Sequence, residues 1–423
     1  MPTMNYSRRE FLGMASTLLT TSATVPAFLQ RTAWATGLEP TSDRILVVLQ
    51  LTGGNDGLNT VVPFTDDIYR RSRPTLQLAD AKLHMLNDRV GLHPQLNGLK
   101  KLFDGGHAAV VQSVGYPNPN RSHFESMGIW QTAPDDQHLI QGKSAIAGGG
   151  WLARTLDARP IAGNLSAVPA LRIGTGEIPF ALLGCRVPVP SLADLSQLKH
   201  QKGLLDSRAA LAQVDAWQAP GDSTANPLLQ AAARSRLAVH ATAQQIDRIS
   251  SQLPDDADYP DDELAQRLRL IARLIRGGFR TPIYYTEEGG FDTHATQLNR
   301  HANVLRSVGG ALRAFVEDLV KHVPSRPVLV MVFSEFGRRL AENASQGTDH
   351  GTAAPVFLAG SGLSPGVHGP YPDLTRLVDG DPVFAIDFRQ IYATLLESWL
   401  GIPSEPILGR QFKTLDVLRK IRP

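Results

Sequence analysis

Three stretches in the C-terminal half place carboxylates and imidazoles directly after apolar runs. They are Gly289-Gly290-Phe291-Asp292-Thr293-His294, Ser334-Glu335-Phe336-Gly337 behind Val328 to Phe333, and Gly347-Thr348-Asp349-His350-Gly351-Thr352. Open α/β sheets gather ligands at the carboxyl ends of their strands, so strands punctuated in this way mark a site assembled loop by loop. Asp292 and His294 lie two residues apart, and in an extended loop a carboxylate oxygen and an imidazole nitrogen at that spacing converge on one ion. With Asp56, the chain offers the metal-ligand types Asp56, Asp292, His294, Glu335, Asp349 and His350. That mixture suits a pair of ions about 4 Å apart that activate a nucleophile and steady a leaving oxygen. Singly, each is equally a loop residue or a helix cap. Arg338 and Arg339 either clamp an anionic substrate bidentately or begin a solvated helix.

Cys185 is the sole cysteine. No internal disulfide and no thiolate cluster can form, so a metal must take oxygen and nitrogen ligands, which favours zinc, manganese, magnesium or calcium over iron–sulfur chemistry. A hydrophobic share of 42% against 19% charged residues is that of a globular chain long enough for a large core.

The elements that must position these residues begin with Ile45 to Leu51, a continuous apolar run broken by Thr52-Gly53-Gly54 and therefore a buried, parallel type of strand. Asp56, just beyond, either holds a cation at the end of that strand or caps the next segment as an Asx turn. A helix opened by His93-Pro94 and stopped by Gly105-Gly106 leads to the strand Ala108 to Val114, a β-α-β crossover. Ser122 then stands near a helix N-terminus between Arg121 and His123. It either caps that helix, with Glu125 completing a capping box, or uses the positive potential there to attack a phosphate or sulfate centre. A long amphipathic helix carrying Val304, Val308, Leu312, Phe315, Val316 and Leu319 joins the strand Ile283 to Thr286 to Val328 to Phe333. Both loops therefore emerge on one side. A further strand follows at Pro355 to Gly360, and a closing helix ends at Gly401.

Residues 135–280 break the pattern and predict a cap-like, largely helical insertion. It has short strands near Ala170 to Ile173 and Phe180 to Leu183 and helices at 205–217, 227–252 and 261–276. Five of the eight residues from Asp255 to Asp262 are Asp, a solvated loop or a calcium loop.

Residues 1–35 predict a cleavable export signal: Arg8-Arg9 before Phe11-Leu12, an apolar stretch to Leu29, and Ala33-Trp34-Ala35 as the cleavage site. The arginine pair resembles the twin-arginine type and predicts a bacterial periplasmic or secreted protein handed to the twin-arginine export machinery. The apolar run is short for a membrane span, so none is expected in the mature chain. Removing Arg8, Arg9, Arg31 and Glu10 with this segment takes 42 basic and 40 acidic residues to 39 of each, which gives no basic patch for nucleic acid.

The motifs Leu-Thr-Gly-Gly-Asn-Asp-Gly-Leu-Asn-Thr at 51–60, Arg121-Ser122-His123-Phe124, Gly290-Phe291-Asp292-Thr293-His294, Ser334-Glu335-Phe336-Gly337-Arg338 and Gly347-Thr348-Asp349-His350-Gly351 closely resemble the secreted proteins grouped as domain of unknown function 1501. More distantly, their order resembles the alkaline phosphatase and sulfatase superfamily. The resemblance implies an α/β, alkaline-phosphatase-like three-layer sandwich with a mostly parallel central sheet over 36–423. It also implies Ser122 as nucleophile and Asp56, Asp292, His294, Glu335 and His350 as ligands to one or two divalent ions, zinc first. Phe336 stands where that superfamily carries a ligand imidazole, so Asp349 substitutes, or one ion is held, or the fold persists without hydrolysis. The expected function is an exported metal-dependent hydrolase of small anionic phosphate or sulfate esters; the alternative is a non-catalytic binding protein on the same fold.

Overall fold

The computed structural model describes residues 44–141, 144, 148–158, 168–184, 189–193, 246–249, 252–254 and 256–419. The export segment, Cys185, the helix expected at 205–217 and most of that at 227–252 lie outside the described residues. Among the described residues no helix is long and apolar enough to cross a membrane.

The first half contributes β1 (Ile45–Leu51), α1 (Gly57–Thr60), α2 (Asn97–Asp104), β2 (Ala108–Gly115), α3 (His123–Thr132), α4 (Trp151–Asp157), β3 (Leu171–Ile173) and β4 (Ser191–Leu192). The second half adds α5 (Glu263–Arg276), β5 (Ile283–Glu288), α6 (Gln297–His322), β6 (Val328–Ser334), β7 (Ala354–Gly360), β8 (Gly366–His368), β9 (Ile386–Asp387) and α7 (Phe388–Thr394). The central sheet runs β8-β2-β7-β6-β1-β5-β3-β4, and β9 also pairs with β2. Strand β7 runs against both its neighbours, and the other pairings are parallel. This is an α/β fold with a mostly parallel sheet.

The continuous apolar runs form strands because both faces are covered. Ile45, Val47, Leu49 and Leu51 point into one core with α2, α5 and α6. Leu46 and Val48 point into the other, with Trp130 of α3, Trp151 of α4 and Tyr392 of α7. A period of two thus divides one strand between two helical layers. The long helix before β6 is present as α6, with Val308, Leu312, Phe315, Val316 and Leu319 buried and Val304 partly so.

Several local expectations differ. Phe180–Leu182 is a 3-10 turn instead of a strand, because the Phe180 N–H donates to Gln131 Oε1 at 2.8 Å and is lost to any ladder. The helix expected from His93 starts at Asn97; His93 is buried, and its Nδ1 accepts from Gln95 N at 3.0 Å. Within 135–280, β3 and β4 extend the central sheet and α5 packs on its face. In the acidic loop, Asp262 caps α5 by accepting from Ala265 N, and Asp256 pairs with Arg276 at 2.8 Å, so both carboxylates act structurally.

The carboxyl ends of β1, β2, β5 and β6 and the amino end of β7 share one edge, a consequence of the parallel pairing and of the reversal at β7. The loop after β1 is fastened there by a buried ion pair. Asp56 and Arg73 are wholly buried and meet at 2.6 Å, and Arg73 also donates to Asn59 Oδ1, Leu340 O and Arg339 O. Burial by itself raises the Asp56 pKa, but Arg73, with His301 and Gln297, outweighs it and holds the carboxyl below its ordinary 3.8. Its contribution to stability is complete above that value and is lost as the pH falls below it. Replacing Arg73 by Met leaves a buried carboxylate without its cation and is expected to cost about 3–5 kcal/mol in urea unfolding at pH 7. A loss well under about 1 kcal/mol, the scale of an exposed pair, would show that the pair does not hold this loop.

Candidate metal centre

Three segments bring His123, Asp292, His294 and His350 together at that edge. His123 is the first residue of α3, Asp292 and His294 follow β5, and His350 precedes β7. The Nε2 of His123 and the Nε2 of His350 lie 3.6 and 3.3 Å from Asp292 Oδ1, and all three atoms lie within 4.8 Å of one another. Ligands held tetrahedrally by bonds of about 2.0 Å stand about 3.3 Å apart, so the two contacts to Asp292 approximate edges of such a polyhedron. His294 Nε2 lies 3.1 Å from Asp292 Oδ1 and 2.8 Å from His350 Nε2.

Each imidazole is fixed through its other nitrogen. His350 Nδ1 donates to the Arg121 carbonyl at 2.8 Å, His123 Nδ1 to Glu335 Oε1 at 2.8 Å, and His294 Nδ1 to Asp349 Oδ1 at 3.2 Å. Carbonyls and carboxylates only accept, so these bonds direct the Nε2 lone pairs at the cluster, the arrangement typical of metal-binding histidines. His123 Nε2 is buried and has no hydrogen-bond partner, although a buried polar atom in a finished core is normally paired. The two facing nitrogens of His294 and His350 can share a proton, which a cation would displace. Burial lowers the His350 pKa, keeping its lone pair free, whereas the hydrogen bond to Glu335 raises that of His123. For Asp292 burial raises the pKa, but Arg338 outweighs it and the carboxyl stays below its usual range. Two imidazoles and a carboxylate, with a third imidazole beside them, form a nitrogen-rich donor set that fits zinc best and the harder oxygen-seeking ions less well.

Of the expected ligands, the fold thus gathers Asp292, His294 and His350. The carboxylates Asp56, Glu335 and Asp349 are engaged otherwise. Asp56 caps α1 and pairs with Arg73. Glu335 is fully buried and accepts from Gly53 N, His123 Nδ1 and the Ser334 hydroxyl, each at 2.8 Å, so it orients the His123 ring. Asp349 stands behind His294. Arg338 corrects the expectation of a substrate clamp: it is 1% exposed and directs its donors at Gly53 O, Gly54 O, Phe291 O, Thr348 O and Asp292 Oδ1. Its guanidinium stitches three loops together and aims Asp292.

His123 is the residue of this cluster that sequence reasoning passed over, treating it as a neighbour of Ser122. It supplies an imidazole from a helix start, while Phe336 lies against His123 and His350 with ring centroids 5.0 and 4.8 Å away. Two glycines permit this packing. A Cβ on Gly53 would lie 2.4 Å from Asp292 N, and one on Gly54 would lie 2.3 Å from the Phe336 ring, both at positive φ. Ser122 is exposed at the N-cap of α3, but its side chain makes no capping bond and the expected capping box does not form. Its backbone adjoins the centre, because the preceding carbonyl is the one that holds His350.

Among solved structures, the chain is similar to a protein in the alkaline phosphatase superfamily from Vibrio parahaemolyticus, at 12% identity and TM-score 0.40 over 90% of this chain and 76% of that one. The PsFucS1 sulfatase from Pseudoalteromonas sp. matches at 12% identity and TM-score 0.40, over 89% of this chain and 72% of that one. The zinc complex of the C-terminal periplasmic domain of EcEptC from Escherichia coli matches at 7% identity and TM-score 0.36, over 76% and 75%. No curated protein matches the sequence. A family model described as "Protein of unknown function (DUF1501)" matches residues 43–416, nearly the whole chain, and the protein belongs to that family.

Proposed function

We propose that the protein is an exported metal-dependent hydrolase of small phosphate or sulfate esters. One divalent ion, zinc before manganese, magnesium or calcium, is held by His123, Asp292 and His350 with His294 beside them, and Ser122 is the nucleophile. The observation that carries this is the buried, unpartnered His123 Nε2 facing Asp292 and His350, with the other nitrogen of each imidazole already tied down. When bound, the ion supplies Lewis-acid polarisation of an ester oxygen. The residues of the chain do the rest. The Ser122 hydroxyl, not engaged in capping, attacks phosphorus or sulfur at the amino end of α3, where positive potential favours the ester anion. The bond to the leaving alcohol breaks, and the serine proton passes in net to that alcohol. Water then cleaves the Ser122 ester and restores the hydroxyl. The buried Phe336 ring packs against the His123 and His350 imidazoles and limits their rotation. Delivery by the twin-arginine machinery is proposed on Arg8-Arg9 and the segment behind them.

A second reading, a metal-binding protein without turnover, is favoured by one observation. Asp56 and Glu335, which a second ion would need, are committed to Arg73 and to His123. Ser122→Ala separates the two. Against a panel of aryl phosphates, phosphodiesters and sulfates it should lower turnover about a thousandfold or more with metal content unchanged, as loss of a nucleophile does. Turnover equal to the parent's would remove Ser122 from the mechanism. Glu335→Gln is expected to weaken zinc binding about 10–100-fold in a competition titration, the scale of losing a histidine's outer partner; an unaltered affinity would mean that His123 is no ligand.

A further inference from the structure

Arg121 and Arg339 form a second cationic feature beside the centre. Both side chains meet Asp381, which is 1% exposed. Arg121 donates Nε at 2.8 Å and Nη2 at 2.5 Å to one carboxylate oxygen. Arg339 approaches the other at 3.8 Å, beyond hydrogen-bond length, and both that oxygen and the Arg339 Nε are buried without a partner. The arginine side chains remain 34% and 40% exposed, and no hydrogen bond to described residues occupies the rest of their outer Nη donors. Asp379, three-quarters exposed and 3.7 Å from Arg121, is a screened and weak partner.

Their backbones fix both residues to the metal centre. The Arg121 carbonyl receives His350 Nδ1, and Arg339 N donates to the Asp349 carbonyl at 3.1 Å. No hydrogen bond or ion pair links either guanidinium to a residue of the His/Asp cluster; among the described arginines Arg338 reaches it, through Asp292. The hairpin carrying Asp381 is pinned by Thr352 Oγ1 to Pro382 O at 2.7 Å and by Leu340 N to Gly380 O at 3.3 Å, so the anchor is part of the framework.

We propose that Arg121 and Arg339, braced by Asp381, bind a second anionic group of the ligand, apart from the ester at His123, Asp292 and His350. The ligand class is then a phosphate or sulfate ester that bears another phosphate, sulfate or carboxylate. The position of the ester rests on the hydrolase reading, whereas anion binding by the two arginines does not depend on metal. The outer Nη donors that Asp381 leaves unused on the two guanidiniums suit directional recognition of such oxyanions.

The test is a titration of inorganic phosphate into the full chain after chelation of metal, followed through the Arg Nε–H resonances in nuclear magnetic resonance. Without an ion the cluster presents the Asp292 carboxylate and repels phosphate, which leaves the arginine pair as the docking place. Saturable binding is expected, about tenfold weaker in Arg339→Gln, the loss of one charge-assisted hydrogen bond, and intermediate in Arg339→Lys. Arg339→Gln retains the backbone bonds to Asp349 and Arg73, and Arg121→Gln offers an independent variant with the same expected loss. Absence of saturable binding, or binding untouched by both glutamine variants, overturns the subsite. Failure of every ester to turn over, with this binding intact, would count against the hydrolase alone.

Discussion

The buried carboxylate of Glu335 is the contact on which the edge of the sheet depends. It sits at the end of β6 and accepts at once from Gly53 N behind β1 and from His123 Nδ1 at the start of α3, so a single side chain joins three elements distant in sequence. A carboxylate with no exposure is costly unless its lone pairs are filled. Gly53, His123 and Ser334 fill them, and that requirement fixes where α3 begins and which nitrogen of His123 faces Asp292. Arg338 does the complementary task with positive charge, drawing the carbonyls of Gly53, Gly54, Phe291 and Thr348 around one guanidinium.

Most of the ligand-type carboxylates at this edge are taken up by other side chains. Asp56 serves Arg73, Glu335 serves His123, and Asp349 serves His294. The carboxylates at the sheet edge therefore form an outer layer that orients imidazoles, and Asp292 alone among them reaches the cluster. Outer partners of this kind tune ligand basicity and restrict ring rotation. Among the described residues, His123, Asp292 and His350 are the group of donors close enough to share one ion.

Much of this was legible in the sequence. The apolar runs at 45–51, 328–333 and 355–360 became strands because a period of two divides their side chains between two helical layers, and the amphipathic stripe of α6 is plain from Val308 to Leu319. The gathering of Asp292, His294 and His350 followed from loops at one edge. What spacing could not reveal was partner choice. Asp56 and Asp292 are both loop aspartates, and only the folded chain shows that one meets a buried arginine and the other meets imidazoles. A motif records chain order and could not show that His123, far earlier in the chain, comes to lie beside Phe336 and within reach of Asp292 and His350.

X-ray absorption at the metal edge of zinc-loaded protein tests the central claim most directly. One ion per chain with nitrogen and oxygen neighbours at about 2.0 Å and imidazole scattering is the predicted result. Two ions in mutual contact, or a shell without imidazole, would contradict it.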